Sequence, residues 1–313
     1  MARTARWKVT GVEAWYHVHA RIAGHRGEFP LSQAAVTRKL VEILEHFTTI
    51  YFCQVAAFAV MGNHYHLVLR FDPERPVSRQ ELEARARLMY PEGRFGLVTG
   101  CWNEEQWERY RRRLFDLSEY MRNVQAAFAR WYNTTFERRG RFWADRFKSV
   151  CLGDMRAVLD CMLYVELNPV RAGLVERPEE WEGSSLFLRE IGKDGWLMPL
   201  EGVMNLESRR QALREYKERL YYRGSVPTRE GQAAISQEVL EKEAARGFAV
   251  RGMYRKRLGY WVDGLAVGSE TFIREQLARA RKEGLYRRRK HPIPQLGGIH
   301  LSLREQRSTA VVF

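Results

Sequence analysis

Two histidines one residue apart, His64 and His66, sit in the run Met61-Gly62-Asn63-His64-Tyr65-His66-Leu67-Val68-Leu69-Arg70. In a β-strand, residues two apart share a face, so both imidazoles would project from one sheet surface. Neutral imidazoles on a rigid strand are a natural pair of metal ligands. The same pattern also fits an ordinary half-buried strand, so the pair gains meaning only from what accompanies it. A second segment with chemical potential is Tyr164-Val165-Glu166-Leu167-Asn168-Pro169-Val170-Arg171-Ala172-Gly173. Tyr164 and Asn168 are four apart and therefore lie on one helix face. Pro169 makes Asn168 a helix end or kink, which presents its amide instead of burying it. Taken singly, Tyr164 also reads as a core aromatic and Asn168 as a cap before a proline.

The elements that would position these residues follow from periodicity. Ala14 to Arg21 alternates as a strand, with Trp15, His17 and His19 against Tyr16, Val18 and Ala20. Pro30-Leu31-Ser32 opens a helical stretch to about Phe47. Tyr51 to Val60 and His64 to Phe71 form a hairpin across the turn signal Gly62-Asn63. Leu117 to Tyr132 is helical, Phe142 to Leu152 is strand-like, and a further helix follows Asp154, a good N-cap. The order βαββαβ plus a closing helix predicts an α+β, ferredoxin-like antiparallel sheet with helices packed on one face. Asp72 to Asp116 reads as an insertion, with helical pieces at Arg79 to Met89 and Glu104 to Arg113.

Composition changes after Arg177-Pro178. Two domains are expected: residues 1–177, containing the insertion 72–116, and a mostly helical, basic region over 178–313. The second region carries helical stretches at Leu206 to Arg223, Gln232 to Ala245 and Ser269 to Lys282. It also carries a turn at Gly259 to Gly264 and a basic arm at Arg287 to Lys290.

Among 313 residues, 52 Lys and Arg oppose 38 Asp and Glu, for a net charge of +14. Arginine forks match phosphate geometry, so nucleic acid is the leading partner class over a merely solubilising surface. No apolar run is long enough for a bilayer, and no signal-peptide core is present, which points away from a membrane and toward the cytoplasm. The 4 cysteines, Cys53, Cys101, Cys151 and Cys161, form no metal-ligand spacing and no disulfide framework.

The histidine pair, followed about a hundred residues later by a helix reading Tyr-x-x-x-Asn-Pro-Val-Arg-Ala-Gly, resembles the HUH single-tyrosine transposases. The REP-associated tyrosine transposase branch is the nearest pattern. The opening strand Tyr16-His17-Val18 and the segment Gly140-Arg141-Phe142-Trp143-Ala144-Asp145-Arg146 also match that pattern, and the likeness covers residues 14 to 176. The resemblance implies that Tyr164 is the nucleophile and that His64, His66 and the Asn168 side chain hold a divalent metal, Mg²⁺ or Mn²⁺. It implies cleavage and rejoining of single-stranded or hairpin DNA, of palindromic-repeat type, through a 5′-phosphotyrosine. A nucleoid-associated location and a possible homodimer, with the tyrosine helix of one chain facing the histidines of the other, follow from the same likeness. Two departures stand out: Val165-Glu166, where many relatives carry a histidine or another polar residue, and the insertion 72–116.

Arg139, Arg141, Arg146 and Lys148 interleave with Phe142, Trp143 and Phe147, which predicts a DNA-binding platform unless the aromatics are core. Arg171 is expected on phosphate. His17 and His19 repeat the same-face spacing on a neighbouring strand and read as a decoy pair beside the metal ligands. Three other readings compete with the transposase-like enzyme: a domesticated sequence-specific DNA-binding protein of the same fold, an RNA-binding sheet module, and a metal hydrolase that uses no tyrosine. The intact set of His64, His66, Tyr164 and Asn168 separates the enzyme from the binder, which has no need of all four.

Overall fold

A computed structural model describes residues 8–9, 11–24, 27–90, 93–227, 231–248, 266–282, 293–295 and 300–302. Strand β1 (Ala14–Arg21) leads through a 3-10 turn at Pro30–Ser32 into helix α1 (Ala34–Ile50). The hairpin β2 (Cys53–Val60) and β3 (His64–Phe71) follows. The insertion then folds as helices α2 (Arg79–Met89), α3 (Phe95–Thr99) and α4 (Glu104–Arg113). Helix α5 (Leu117–Thr135), β4 (Lys148–Leu152) and α6 (Met155–Glu166) complete the βαββαβα unit. Its strands lie in the order β2-β3-β1-β4, and every neighbouring pair among these four is antiparallel. The chain is thus α+β with a ferredoxin-like sheet, as its periodicity predicts.

Helices cover both faces of this sheet, not one. α1 and α5 bury Leu40, Leu44, Phe47, Tyr120, Val124 and Phe128 against Tyr16, Val18, Leu67 and Leu69. The opposite face carries Trp15, Ala57, Ala59, Val68 and Val150, also apolar, and α6 covers it. An apolar surface of that size cannot face water, so a second layer is required.

The helices of the C-terminal region supply a third layer behind α6. After the short α7 (Asn168–Arg171) at the end of the first region, they include α8 (Ser185–Glu190), α9 (Leu200–Met204), α10 (Arg209–Gly224) and α11 (Gln237–Ala245). Val158, Cys161, Met162 and Val165 of α6 share one core with Ala212, Tyr216, Leu220 and Tyr221 of α10. The core is therefore continuous across the compositional change at residue 177.

The C-terminal region also contributes strands that the helical expectation did not contain. β5 (Ala266–Gly268) pairs parallel with β4, and β6 (Ile293–Gln295) and β7 (His300–Ser302) continue the sheet to seven strands. Helix α12 (Glu270–Lys282) occupies the segment expected to be helical. The expected turn at Gly259 to Gly264 and the basic arm Arg287 to Lys290 lie outside the described residues. Within the described residues no helix is long and apolar enough to cross a membrane.

Candidate metal and nucleophile site

Strand register assembles the site. β1 and β3 run antiparallel with His19 opposite His66 and Arg21 opposite His64. On its other edge β1 places Lys148 of β4 opposite His19, and Val150 opposite His17. On the far side of β3, Ala59 stands opposite His66. Directly paired residues share a sheet face, so a single row, Ala59, His66, His19 and Lys148, crosses four strands beneath α6.

One ring nitrogen from each of His19, His64 and His66 lies within 4.8 Å of the others. His66 is buried, at 2% exposure, and the other two are half-buried. All three imidazoles are pushed toward the neutral form. Burial, with Arg21 nearby, lowers His64 to about 4. Burial, the neighbouring imidazoles and Lys148 lower His19 to about 3. Burial and the three surrounding histidines hold His66 well below its ordinary value. Neutral imidazoles are the metal-binding form, so cation binding here need not first expel protons. The donor set therefore fits a divalent metal. Three nitrogens favour Mn²⁺ or a later transition ion over Mg²⁺, which prefers oxygen.

Two second contacts orient the pair on β3. His64 Nδ1 donates to Asn63 Oδ1 over 2.8 Å. His66 Nδ1 lies 3.0 Å from His17 Nε2. His17 itself is 1% exposed.

The nucleophile candidate comes from α6. Asp154 caps this helix by accepting from the Ala157 backbone N–H at 2.8 Å, and the helix ends at Glu166 just before Asn168-Pro169. Half-buried Tyr164 meets the histidines edge-on, its ring centroid 5.6 Å from that of His66 and 5.9 Å from that of His17. The Arg171 guanidinium carbon lies 6.0 Å from the centre of the Tyr164 ring. Tyr164 thus faces the histidines of its own chain.

Neither a protein-family model nor a curated protein sequence matches this chain. Among solved structures it is similar to a REP-associated tyrosine transposase bound to a REP hairpin. That likeness has a TM-score of 0.40 and 16% identity, and it covers 63% of this chain and 89% of the other.

Of the residues expected in the site, His64, His66 and Tyr164 are brought together. Asn168, the expected third ligand, donates its amide Nδ2 to the carbonyls of Tyr164 at 2.9 Å and Val165 at 3.3 Å. It thereby ties down the end of the tyrosine helix. A third imidazole stands beside the pair, that of His19, read from the sequence as a decoy. Its same-face spacing was the available signal; the β1–β3 register, a pairing distant in sequence, was not. Lys148 is exposed at the end of the histidine row, and Arg171 is buried beside Tyr164.

Arg139, Arg141 and Arg146 are exposed on the loop before β4. The aromatics between them are core: Phe142 and Phe147 are buried, and Trp143 Nε1 donates to the Gln125 carbonyl at 2.9 Å. They are therefore not a stacking platform. The strand expected from Phe142 is correspondingly confined to Lys148–Leu152, and Phe142 and Trp143 before it turn their rings onto Phe128 of α5. Glu166 faces away from the histidines, fully buried and hydrogen-bonded by the Ser185 hydroxyl.

Proposed function

We propose that this chain is a metal-dependent DNA strand-transfer enzyme that cleaves and rejoins single-stranded or hairpin DNA with Tyr164 as nucleophile. The observation that carries this reading is the packing of Tyr164 edge-on against His66, the buried member of a neutral imidazole trio. A tyrosine in an ordinary core has no reason to pack edge-on against two buried histidines, one of them a member of a cluster that could hold a metal. The sequence resemblance to HUH single-tyrosine transposases supports the same assignment.

His19, His64 and His66 would hold the cation, Mn²⁺ in preference to Mg²⁺. When bound, it supplies Lewis-acid polarisation of the scissile phosphate. The phenol oxygen of Tyr164 attacks phosphorus, and the bond to the 3′ oxygen breaks. The phenol proton passes to solvent or a proton acceptor, and the leaving 3′ oxygen takes up a proton. The products are a 5′-phosphotyrosine and a free 3′-hydroxyl, so the energy of the phosphodiester is kept for rejoining without ATP. Arg171, beside the Tyr164 ring, and Lys148, opposite His19 on the histidine row, would supply positive charge where phosphate charge develops. Arg139, Arg141 and Arg146 supply backbone contacts along the incoming strand.

On this reading residues 1–177 carry the catalytic unit, and the helices after residue 177 hold α6 in place. The site is complete within one chain. The test is incubation of labelled hairpin DNA from the flanks of the gene with wild-type protein and Tyr164→Phe, with Mn²⁺ or with chelator. A covalent protein–DNA band that needs metal and is lost in the variant is expected. Hairpin binding with no adduct in either protein would mean a DNA-binding protein of the same fold. Cleavage that survives Tyr164→Phe would mean a hydrolase.

A further inference from the structure

The contacts behind the imidazole trio are as specific as the trio itself. His17 is almost wholly buried, although no charge or ligand role had been expected of it. Its ring and that of His66 are nearly parallel, at 9°, with centroids 5.1 Å apart and His17 Nε2 only 3.0 Å from His66 Nδ1. Rings stacked face to face stay at about 3.5 Å or more from one another. A 3.0 Å approach of two nitrogens is therefore an in-plane hydrogen bond joining the rings edge to edge. On β3, His64 makes the matching contact through its own Nδ1, to Asn63 Oδ1 at 2.8 Å. Asn63 is itself 8% exposed, and its backbone carbonyl accepts from the N–H of Ile22, just past β1, at 3.0 Å, which anchors the backbone of the turn that carries the acceptor.

Both β3 histidines are thus engaged through Nδ1, and each has Nε2 left for another partner. We infer that His17 and Asn63 are positioning residues: each accepts the Nδ1–H of one histidine and so directs the Nε2 atoms of His66 and His64 to the same cation. A metal-bound imidazole commonly donates its other ring N–H to such an acceptor, which fixes the tautomer and the ring orientation. Here one acceptor is the neighbouring strand's imidazole, and the other is the amide of the hairpin turn. The Gly62-Asn63 turn therefore has a second task besides reversing the chain. This inference rests on the metal reading of the trio.

The test is titration of the full-length protein with Mn²⁺, followed by calorimetry and by the electron-spin signal of free Mn²⁺. Wild type, His17→Ala, His17→Gln, Asn63→Ala and Asn63→Asp are compared. The alanine variants should lose about 10–100-fold in Mn²⁺ affinity. His17→Gln and Asn63→Asp keep an acceptor at the same reach and should recover most of the loss. Imidazole nitrogen NMR of the metal-free wild type should show His66 and His64 protonated at Nδ1. That measurement needs no variant to fold. Tight Mn²⁺ binding by wild type with equal binding by both alanine variants would overturn the positioning role while leaving the metal site intact. The same holds for an Nε2-protonated His66. Failure of wild type to bind Mn²⁺ at all would remove the metal reading, and this inference with it.

Discussion

Glu166 is the most direct place to test how the nucleophile helix is seated. Its carboxyl is fully buried, two residues from Tyr164, and takes the hydroxyl hydrogen of Ser185 on α8. Burial raises it from an ordinary 4.5 to about 7, against opposing pulls from Ser185 and the Arg189 guanidinium. A group whose folded value is raised contributes stability that is fully present below its unfolded value and lost as pH rises through the folded one. The window here runs from about pH 4.5 to about pH 7. Replacing Glu166 with Gln keeps the shape, mimics the neutral acid and removes the titration. Every other ionisable group is common to both proteins, so the difference between their unfolding free energies isolates this one. With a folded value of about 7 and an unfolded value of 4.5, that difference should move by roughly 2–3 kcal/mol in favour of Glu166→Gln between pH 5 and pH 8. Urea denaturation of both proteins at those two pH values measures it. If the two stabilities instead run parallel with pH, Glu166 is ionised throughout and Arg189 fully compensates it. Because Glu166 faces Ser185 and not the histidines, the variant should bind Mn²⁺ like wild type; a tenfold loss would place the carboxylate in the metal site.

Other expectations follow from the same geometry. In metal-free protein, His64 and His19, lowered to about 4 and about 3, should keep unchanged ring-proton shifts between pH 7.5 and pH 5.5. Their contribution to stability is therefore held above about pH 6.5 and lost as pH falls toward those values; a midpoint near 6.5 in NMR would mean a wet, open sheet face. Replacing His19 with Ala should weaken Mn²⁺ binding as much as replacing His64, by at least tenfold in calorimetry, whereas Asn168→Ala should chiefly lower the melting temperature by uncapping α6. Gly153→Ala should destabilise the fold by about 1–3 kcal/mol in urea, since a Cβ there would stand 2.1 Å from the Phe272 ring of α12; an unchanged midpoint would mean that α12 yields freely. Mixing His66→Ala with Tyr164→Phe should restore no covalent adduct, and recovery of the adduct would mean that the site is shared between chains.

The elements that are locally encoded were legible in the sequence. α2 and α4 were expected at the positions they occupy, and side-chain caps from Ser78 and Asn103 mark their starts. Asp154 announces α6 in the same way. What escaped is non-local. His17 and His19 showed the right spacing, yet only the pairing of β1 with β3 makes one of them a third imidazole and the other a brace for His66. The three C-terminal strands are three residues each, too short to show alternation, and they exist because the open edge of β4 offers them a template. The aromatics between the arginines before β4 could not be assigned to core or surface by type. Trp143 is settled by a carbonyl of α5 that lies eighteen residues away.

The burial of α6 also bears on whether the site belongs to one chain. An amphipathic helix on a sheet would leave one side in water, but α6 is buried nearly all round, between the histidine face and α10. Arg223 of α10 pairs with Asp160 of α6, and Ser185 of α8 with Glu166, so polar ties add to the apolar ones. Swinging this helix out to a partner would uncover Val158, Met162, Leu163 and Val165. At about 1.5–3 kcal/mol for each buried side chain, that is roughly 6–12 kcal/mol, comparable to the whole stability of a typical domain. Binding DNA or a second subunit would have to return all of it. On the one-chain reading, the helices after residue 177 would do for this chain what an exchanged partner helix would do in a shared site: they would hold Tyr164 against His66.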